Sequence, residues 1–117
     1  VTYCEAMSED DSPALDTLVV YVPQEALQRV LDAVFAAGAG AMGRYRECAF
    51  VSAGRGQFRP LAGADPAIGA VGELEYVDEQ RIEVVLPSTR RAAVVAAMRA
   101  AHPYQEPAFY VVAHAPS

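Results

Sequence analysis

A unit that occurs twice sets the tightest limit on what this chain can fold into. Shifting the sequence by 64 residues lays Val20 on Val84, Pro23 on Pro87, Ala33 on Ala97, Ala36 on Ala100 and Ala37 on Ala101. The apolar positions Val30, Leu31 and Val34 fall on Val94, Val95 and Met98. Each copy opens with a short β-branched run, residues 18–22 and 81–86, which reads as a strand. A proline follows, suited to a first helical turn. Apolar residues then recur at helical spacing. In the first copy Leu27, Val30, Leu31, Val34 and Phe35 form one stripe, with Gln28, Arg29 and Asp32 opposite. Gly38 and Gly40 stop the first helix, and His102-Pro103 stops the second. Burying the five stripe side chains contributes on the order of 10 kcal/mol before conformational entropy is set against it, so this helix has to lie on something. Two β-α-β halves related by a pseudo-twofold predict an α+β fold of ferredoxin-like type: an antiparallel sheet with both helices on one face.

The stretch between the copies reads as strand and loop. Residues 47–53 (ECAFVSA) form a strand candidate, Gly54-Arg55-Gly56 a turn, and Gln57-Phe58-Arg59 the return of a hairpin. Residues 61–72 are a long Gly/Pro/Ala loop. Residues 73–77 alternate like a strand, and Asp78-Glu79-Gln80 reads as the turn before 81–86. The hairpin and loop are thus an insertion between the halves. Ser88 is the expected N-cap of the second helix, and 108–113 is the last strand. The domain is expected over 18–113, after a flexible acidic leader (1–17) and before a short tail (114–117).

Charge narrows the function classes. Glu5, Glu9, Asp10, Asp11 and Asp16, with no arginine among residues 1–17, account for -5 of the net -6. The rest is nearly neutral, which argues against nucleic-acid binding driven by phosphate neutralisation. No apolar run approaches the roughly 18 to 20 residues that span a bilayer, so no membrane association is expected. Two cysteines, Cys4 and Cys48, make no disulfide framework. With no secretory pattern at the start, a reducing, cytoplasmic setting is expected.

Few constellations could carry chemistry. Gly38-Ala39-Gly40-Ala41-Met42-Gly43 is a literal G-x-G-x-x-G, but it follows a helix instead of opening one, so it reads as a helix stop rather than a dinucleotide fingerprint. His102 and Glu106 flank Pro103-Tyr104-Gln105 and, with Cys48, are the candidate ligands of a divalent metal ion. The competing reading makes His102 a helix-terminal residue and Cys48 a small buried hydrophobe. Arg44, Arg46 and Arg59, grouped with Arg55, form a candidate anion site, set against pairing with Glu73, Glu75, Glu79 and Glu83 on neighbouring strands or subunits. No nucleophile triad is visible, and no catalytic residue is assigned.

One longer pattern resembles a known family. It comprises Gly38-Ala39-Gly40, Gly43-x-Tyr45-x-x-Cys48-x-Phe50, Gly54-x-Gly56-x-Phe58-Arg59-Pro60-Leu61-x-Gly63-Ala64-x-Pro66-x-Ile68-Gly69-x-x-Gly72, Glu79-x-Arg81-Ile82-Glu83, and Ala101-His102-Pro103-Tyr104-x-Glu106. From about Leu18 to Val112 it is similar to the inserted, YqfO-type domain of the NGG1p-interacting-factor-three family, the dinuclear-metal-centre hexameric proteins also called GTP cyclohydrolase type-two homologues. The resemblance implies a CutA/PII-like fold that assembles as trimers. It places that family's metals in flanking halves whose ligands are missing from these residues. Gln105 departs from the family's acidic pair after His-Pro-Tyr, and Arg44 and Arg46 stand where small polar or acidic residues are more common.

The expected function is therefore a non-enzymatic regulatory or assembly module that forms homo-oligomers, with a trimer favoured, and holds a small ligand or ion between subunits. Trimerisation is expected through the sheet edges and the insertion. Two alternatives stand beside it. One is a metal-binding domain or fragment of a dinuclear-metal hydrolase whose catalytic metals lie outside this chain. The other is an anion or nucleotide binder built on the arginines.

Overall fold

The computed structural model describes residues 14–115. Strand β1 (Leu15–Pro23) leads through a 3-10 turn into helix α1 (Leu27–Ala36). Strands β2 (Phe50–Phe58) and β3 (Glu75–Pro87) follow, then a second 3-10 turn, helix α2 (Arg91–Ala101) and strand β4 (Phe109–Ala113). The sheet order is β2-β3-β1-β4, with every neighbouring pair antiparallel. This is the ferredoxin-like arrangement that the doubled unit predicts.

The repeat extends to the backbone. Pro23 (φ -64, ψ 148) and Pro87 (φ -62, ψ 137) are both extended, and each is followed by a three-residue 3-10 turn and then an α-helix. Ser88 does not cap α2; its hydroxyl donates to Asp16 Oδ1 at 2.8 Å instead. The helix starts at Arg91, with Arg90 and not Ser88 at its N-cap position.

Strand period and register sort the side chains onto two faces. Leu18, Val20 and Val22 on β1 join Ile82, Val84 and Leu86 on β3 in one core with Val30, Leu31 and Val34 of α1 and Val94 and Met98 of α2. The opposite, helix-free face carries the other parity. One row across all four strands runs Phe50–Glu83–Val19–Tyr110, and the next runs Val85–Thr17–Val112.

Three further expectations need correcting. Gly54-Arg55-Gly56 is not a turn: Gly54 pairs with Glu79 and Gly56 with Val77 inside a continuous β2. Asp78-Glu79-Gln80 is not a turn either, because β3 runs straight through it. The hairpin is β2–β3 itself, with residues 59–74 as its tip. Neither Gly54 nor Gly56 has a positive φ. At Gly56 the Glu79 carboxylate occupies the space where a Cβ would lie, and it would have to swing aside to admit one. Third, β1 takes in residues 15–17 from the expected leader. Residues 1–13 of that leader, with Cys4 and the acids from Glu5 to Asp11, lie outside the described residues.

β1 pairs with β3 only as far as Pro23↔Glu79, whereas β2 and β3 stay paired to Phe58↔Glu75. The β2–β3 ribbon therefore projects past the body as an arm, in a fold measuring 52 × 23 × 23 Å. At the other end the start of β1 and the end of β4 lie side by side, with Asp16 paired to Ala113 and His114 N–H bonded to Leu15 O at 2.9 Å. Among the described residues no helix is long and apolar enough to cross a membrane.

Candidate functional site

An open cleft of about 600 Å³ lies where the tip of the arm meets the turn after α2. Its geometry starts at the helix stop. His102 leaves α2 in an extended conformation (φ -74, ψ 136) while its N–H still bonds Met98 O at 2.9 Å. His102 Nδ1 accepts the Tyr104 N–H at 3.0 Å, so Nδ1 is bare and Nε2 carries the proton, which it donates to Tyr21 O at 2.8 Å. Both ring nitrogens are thus engaged within the chain. Burial pushes the His102 pKa down, against the pull of the Tyr21 carbonyl, and Arg29 lowers it further.

This latch aims Tyr104 at Phe58, with ring centroids 6.1 Å apart and planes tilted by 55°. The Tyr104 hydroxyl is shut off from solvent and has no hydrogen-bond partner among the described residues. Burial raises the Tyr104 pKa, and the charges of Glu79 and Glu25 raise it further. Glu79 sits under Gly56 at the base of the cleft, and burial raises its own pKa above the ordinary glutamate value. Glu106 and Gln105 are exposed on the rim. Arg59 closes the tip, donating from Nη1 to Gly72 O at 2.8 Å beside the Gly72 N–H to Pro60 O bond of 2.7 Å.

The structure does not bring the three anion-site candidates together. Arg44 and Arg46 are exposed on a tight loop closed by reciprocal Met42–Tyr45 backbone bonds of 2.9 and 2.8 Å. That loop precedes β2, whereas Arg59 follows it. A strand of this length puts roughly 25 to 30 Å between them. Among the described residues the predicted arginine–glutamate pairing is reduced to Arg81–Glu83, whose arginine lies outside the cluster. Arg55 stacks over the Tyr76 ring at 4.7 Å instead.

The metal candidates are also separated. Glu106 lines the cleft described above, whereas Cys48 lines a different one, with Met42, Phe50, Glu83 and His114. His102 has no lone pair left to offer a cation. Among the described residues no group of three His, Cys, Asp or Glu side chains could hold a metal ion. Within the described residues, His102, Glu106 and Cys48 are therefore not brought together around one point.

The G-x-G-x-x-G segment is a helix stop, with φ of 115°, 82° and 55° at Gly38, Gly40 and Gly43. Phe58 was not singled out for chemistry, Glu79 stood out only as a pairing partner for the arginines, and Tyr104 only as part of the His102–Glu106 constellation. The available signal was the pair Gly54 and Gly56, two glycines in a strand pattern, which mark a close approach as readily as a turn.

No family model matches the chain. It is 56% identical over 102 residues to the GTP cyclohydrolase 1 type 2 homolog of Mycobacterium tuberculosis (strain ATCC 25618 / H37Rv), which takes in 87% of this chain and 27% of that protein. The chain thus spans about a quarter of the length of the curated relatives it matches. Among solved structures it is similar to a Bacillus cereus protein related to NIF3, with TM-score 0.75 and 38% identity over 87% of this chain and 26% of that one. The periplasmic divalent cation tolerance protein CutA from Archaeoglobus fulgidus matches at TM-score 0.59 and 17% identity over 84% and 81% of the two chains. GlnK of B. subtilis matches at TM-score 0.59 and 10% identity over 87% and 86%. The last two likenesses are of fold alone. Over 87% of its length this chain is therefore a homologue of one segment, CutA- and PII-like in fold, of the NIF3-family proteins named GTP cyclohydrolase 1 type 2 homologues.

Proposed function

We propose that this chain is a self-assembling regulatory module of the cytoplasm, joined as a trimer through the helix-free face of its sheet and the β2–β3 arm, with no bond-breaking chemistry of its own. The observation that carries this reading is the composition of that face. Phe50 is 62% exposed, Tyr110 44% and Val112 49%, all on the side that no helix of the described residues covers. Arg81 lies between them and donates to both Glu83 Oε2 and Tyr110 Oη, so its charge is already matched within the subunit. An apolar face with internally matched charge suits contact with copies of itself. Among the described residues the outer edges of β2 and β4 are unpaired, which offers further sites for association. The resemblance to trimer-forming CutA and PII proteins points the same way. The free thiol of Cys48 suits a reducing compartment.

Sedimentation velocity at micromolar concentration tests the reading. A mass three times the 12.5 kDa of one chain is expected, falling to a single chain in Phe50→Glu. A wild-type protein that sediments as one chain overturns it.

A second reading is favoured by the adjacent ends of the fold. A unit whose first and last strands leave side by side can sit inside a host protein without disturbing it. On this reading the module regulates the remaining three-quarters of a longer relative, and the activity implied by that relative's name belongs to the host. Inserting residues 14–115 into a surface loop of an unrelated enzyme tests it: retained host activity is expected, and a host that no longer folds argues against it.

A further inference from the structure

We propose that the acidic leader, residues 1–13, docks on the Arg44-Tyr45-Arg46 loop of its own chain. The loop is then a site for an acidic peptide, occupied in cis. One chain makes the contact, which does not rest on the trimer.

The loop is held in a fixed shape. Its feet are tied to the sheet: the Gly40 N–H donates to Val85 O at 2.8 Å, and Gly40 O accepts the Cys48 N–H at 2.9 Å. The reciprocal Met42–Tyr45 bonds close it, and Glu47 sits at φ 58, a left-handed value uncommon outside glycine. A loop fixed in advance loses little freedom when a segment lies on it. It displays exposed Arg44 and Arg46 on either side of Tyr45, which is 58% exposed. Among the described residues neither guanidinium has an ion pair or a hydrogen bond.

Charge selects what lies there. This end of the fold carries Arg44, Arg46, Arg90 and Arg91 against Asp16 and Glu47. Arg91 is matched by Asp16, while Arg90 keeps its charge on the neutral Ala37 carbonyl, so the end stays basic. The arm, at the opposite end of the 52 Å molecule, is acidic, with Asp65, Glu73, Glu75, Asp78 and Glu79 against Arg55 and Arg59. Residues 1–13 contain Glu5, Glu9, Asp10 and Asp11 and no basic side chain. Opposite charge favours the loop for that segment, and like charge disfavours the arm.

The reach is sufficient. The Ser88 N–H bond to Ala14 O, 2.9 Å long, anchors the chain where the leader begins. Val85, which holds the feet of the loop, pairs with Thr17 of β1. Only β3 therefore separates loop and leader, two strand spacings or roughly 10 Å. Asp11, Asp10 and Glu9 stand three to five residues before Ala14, which is roughly 10 to 17 Å of extended chain. Single exposed ion pairs are weak. A tethered segment meets its site at an effective concentration on the order of millimolar, so several weak contacts can hold together.

Paramagnetic relaxation in the full chain tests the proposal. A nitroxide is attached to Cys4 in a Cys48→Ser background, and amide broadening is read in dilute salt and at about 0.5 M NaCl, where exposed charges are largely screened. Tethering at Ala14 alone brings Cys4 near this end. The decisive comparison is therefore with a neutral leader (Glu5→Gln, Glu9→Gln, Asp10→Asn and Asp11→Asn together) and with Arg44→Gln/Arg46→Gln. Broadening at residues 43–47 is expected to fall about threefold in each variant and in salt, while the arm tip stays little affected throughout. The Arg44 and Arg46 Nε–H signals give a label-free check, shifting between wild type and the neutral-leader variant. Mixing spin-labelled chains with unlabelled 15N chains assigns the contact, and no broadening of the loop by a second chain's leader is expected. The proposal is overturned by broadening at 43–47 that the neutral leader leaves unchanged, by equal broadening of loop and arm tip, or by broadening that reaches the loop only from a second chain. Unchanged core amide shifts show that each variant keeps its fold, and failure of the trimer is read separately from the sedimentation mass.

Discussion

The body of the sheet and its projecting arm are built from the same strands but held by different forces. In the body, Leu18, Val20, Val22, Ile82, Val84 and Leu86 are at most 1% exposed, sealed by two helices. In β2, which forms one side of the arm, no residue is buried. The body holds itself by apolar burial, whereas the arm depends on cross-strand hydrogen bonds, the Arg55–Tyr76 stack, the Arg59 staple and, in our account, neighbouring subunits. A chain can therefore carry a self-sufficient core and an unfinished surface within a single sheet.

The largest effect should come from cutting the core. Leu18→Ala is expected to lower unfolding stability by about 2 to 5 kcal/mol, whereas Val77→Ala on the arm should cost less than about 1 kcal/mol. Urea titration of both variants checks this, and equal losses would erase the distinction.

Glycines sharpen the same contrast. Gly40 has φ +82, and a Cβ there would lie 2.9 Å from the Phe35 ring, so Gly40→Ala should cost roughly 1 to 3 kcal/mol. A Cβ on Gly54 meets nothing within 4 Å, so Gly54→Ala should fall within about 0.5 kcal/mol of wild type. Thermal unfolding reads both, and a Gly54→Ala loss as large as that of Gly40→Ala would contradict this placement.

Smaller effects should appear as pH dependence in the body. Asp16 is fully buried beneath Ser88 and Arg91, at 2.8 and 2.6 Å, and the Arg91 hydrogen bond, opposed by burial, holds its pKa below the usual 3.8. A depressed carboxyl pKa stabilises the fold above the unfolded value, and that stability fades as pH falls through 3.8 toward the folded value. Asp16→Asn should be less stable than wild type at pH 7, with the gap narrowing below pH 4. His102 works in a higher window. Its folded pKa lies below 6.5, so the unfolded chain takes up the proton first and stability declines as pH drops below 6.5. His102→Gln should flatten that decline, as followed by urea midpoints between pH 7.5 and 5, and an unchanged slope would mean the latch carries no titrating strain.

The body was readable in the sequence because its determinants are local and repeated. Two prolines, two apolar stripes and two helix stops in matching order leave few topologies. The arm was not, because what keeps Gly54–Gly56 and Asp78–Gln80 extended is pairing with each other across 59–74, which composition alone presents as turns. The site fared likewise. Arg59 and Glu106 stood out by type, but Arg44 and Arg46 lie at the other end of β2 and Cys48 in another cleft. The contact that makes Glu79 notable, its carboxylate beneath Gly56, joins residues 23 positions apart. His102 was noticed for chemistry, and the structure gives both its nitrogens to the backbone.

Amide hydrogen exchange at two protein concentrations tests most directly whether the surface is completed by other copies. We predict that exchange from β2 and the arm slows markedly at high concentration and quickens on dilution, while β1 and the body half of β3 stay protected throughout. Identical exchange in β2 at both concentrations, with a mass of one chain, would contradict the account.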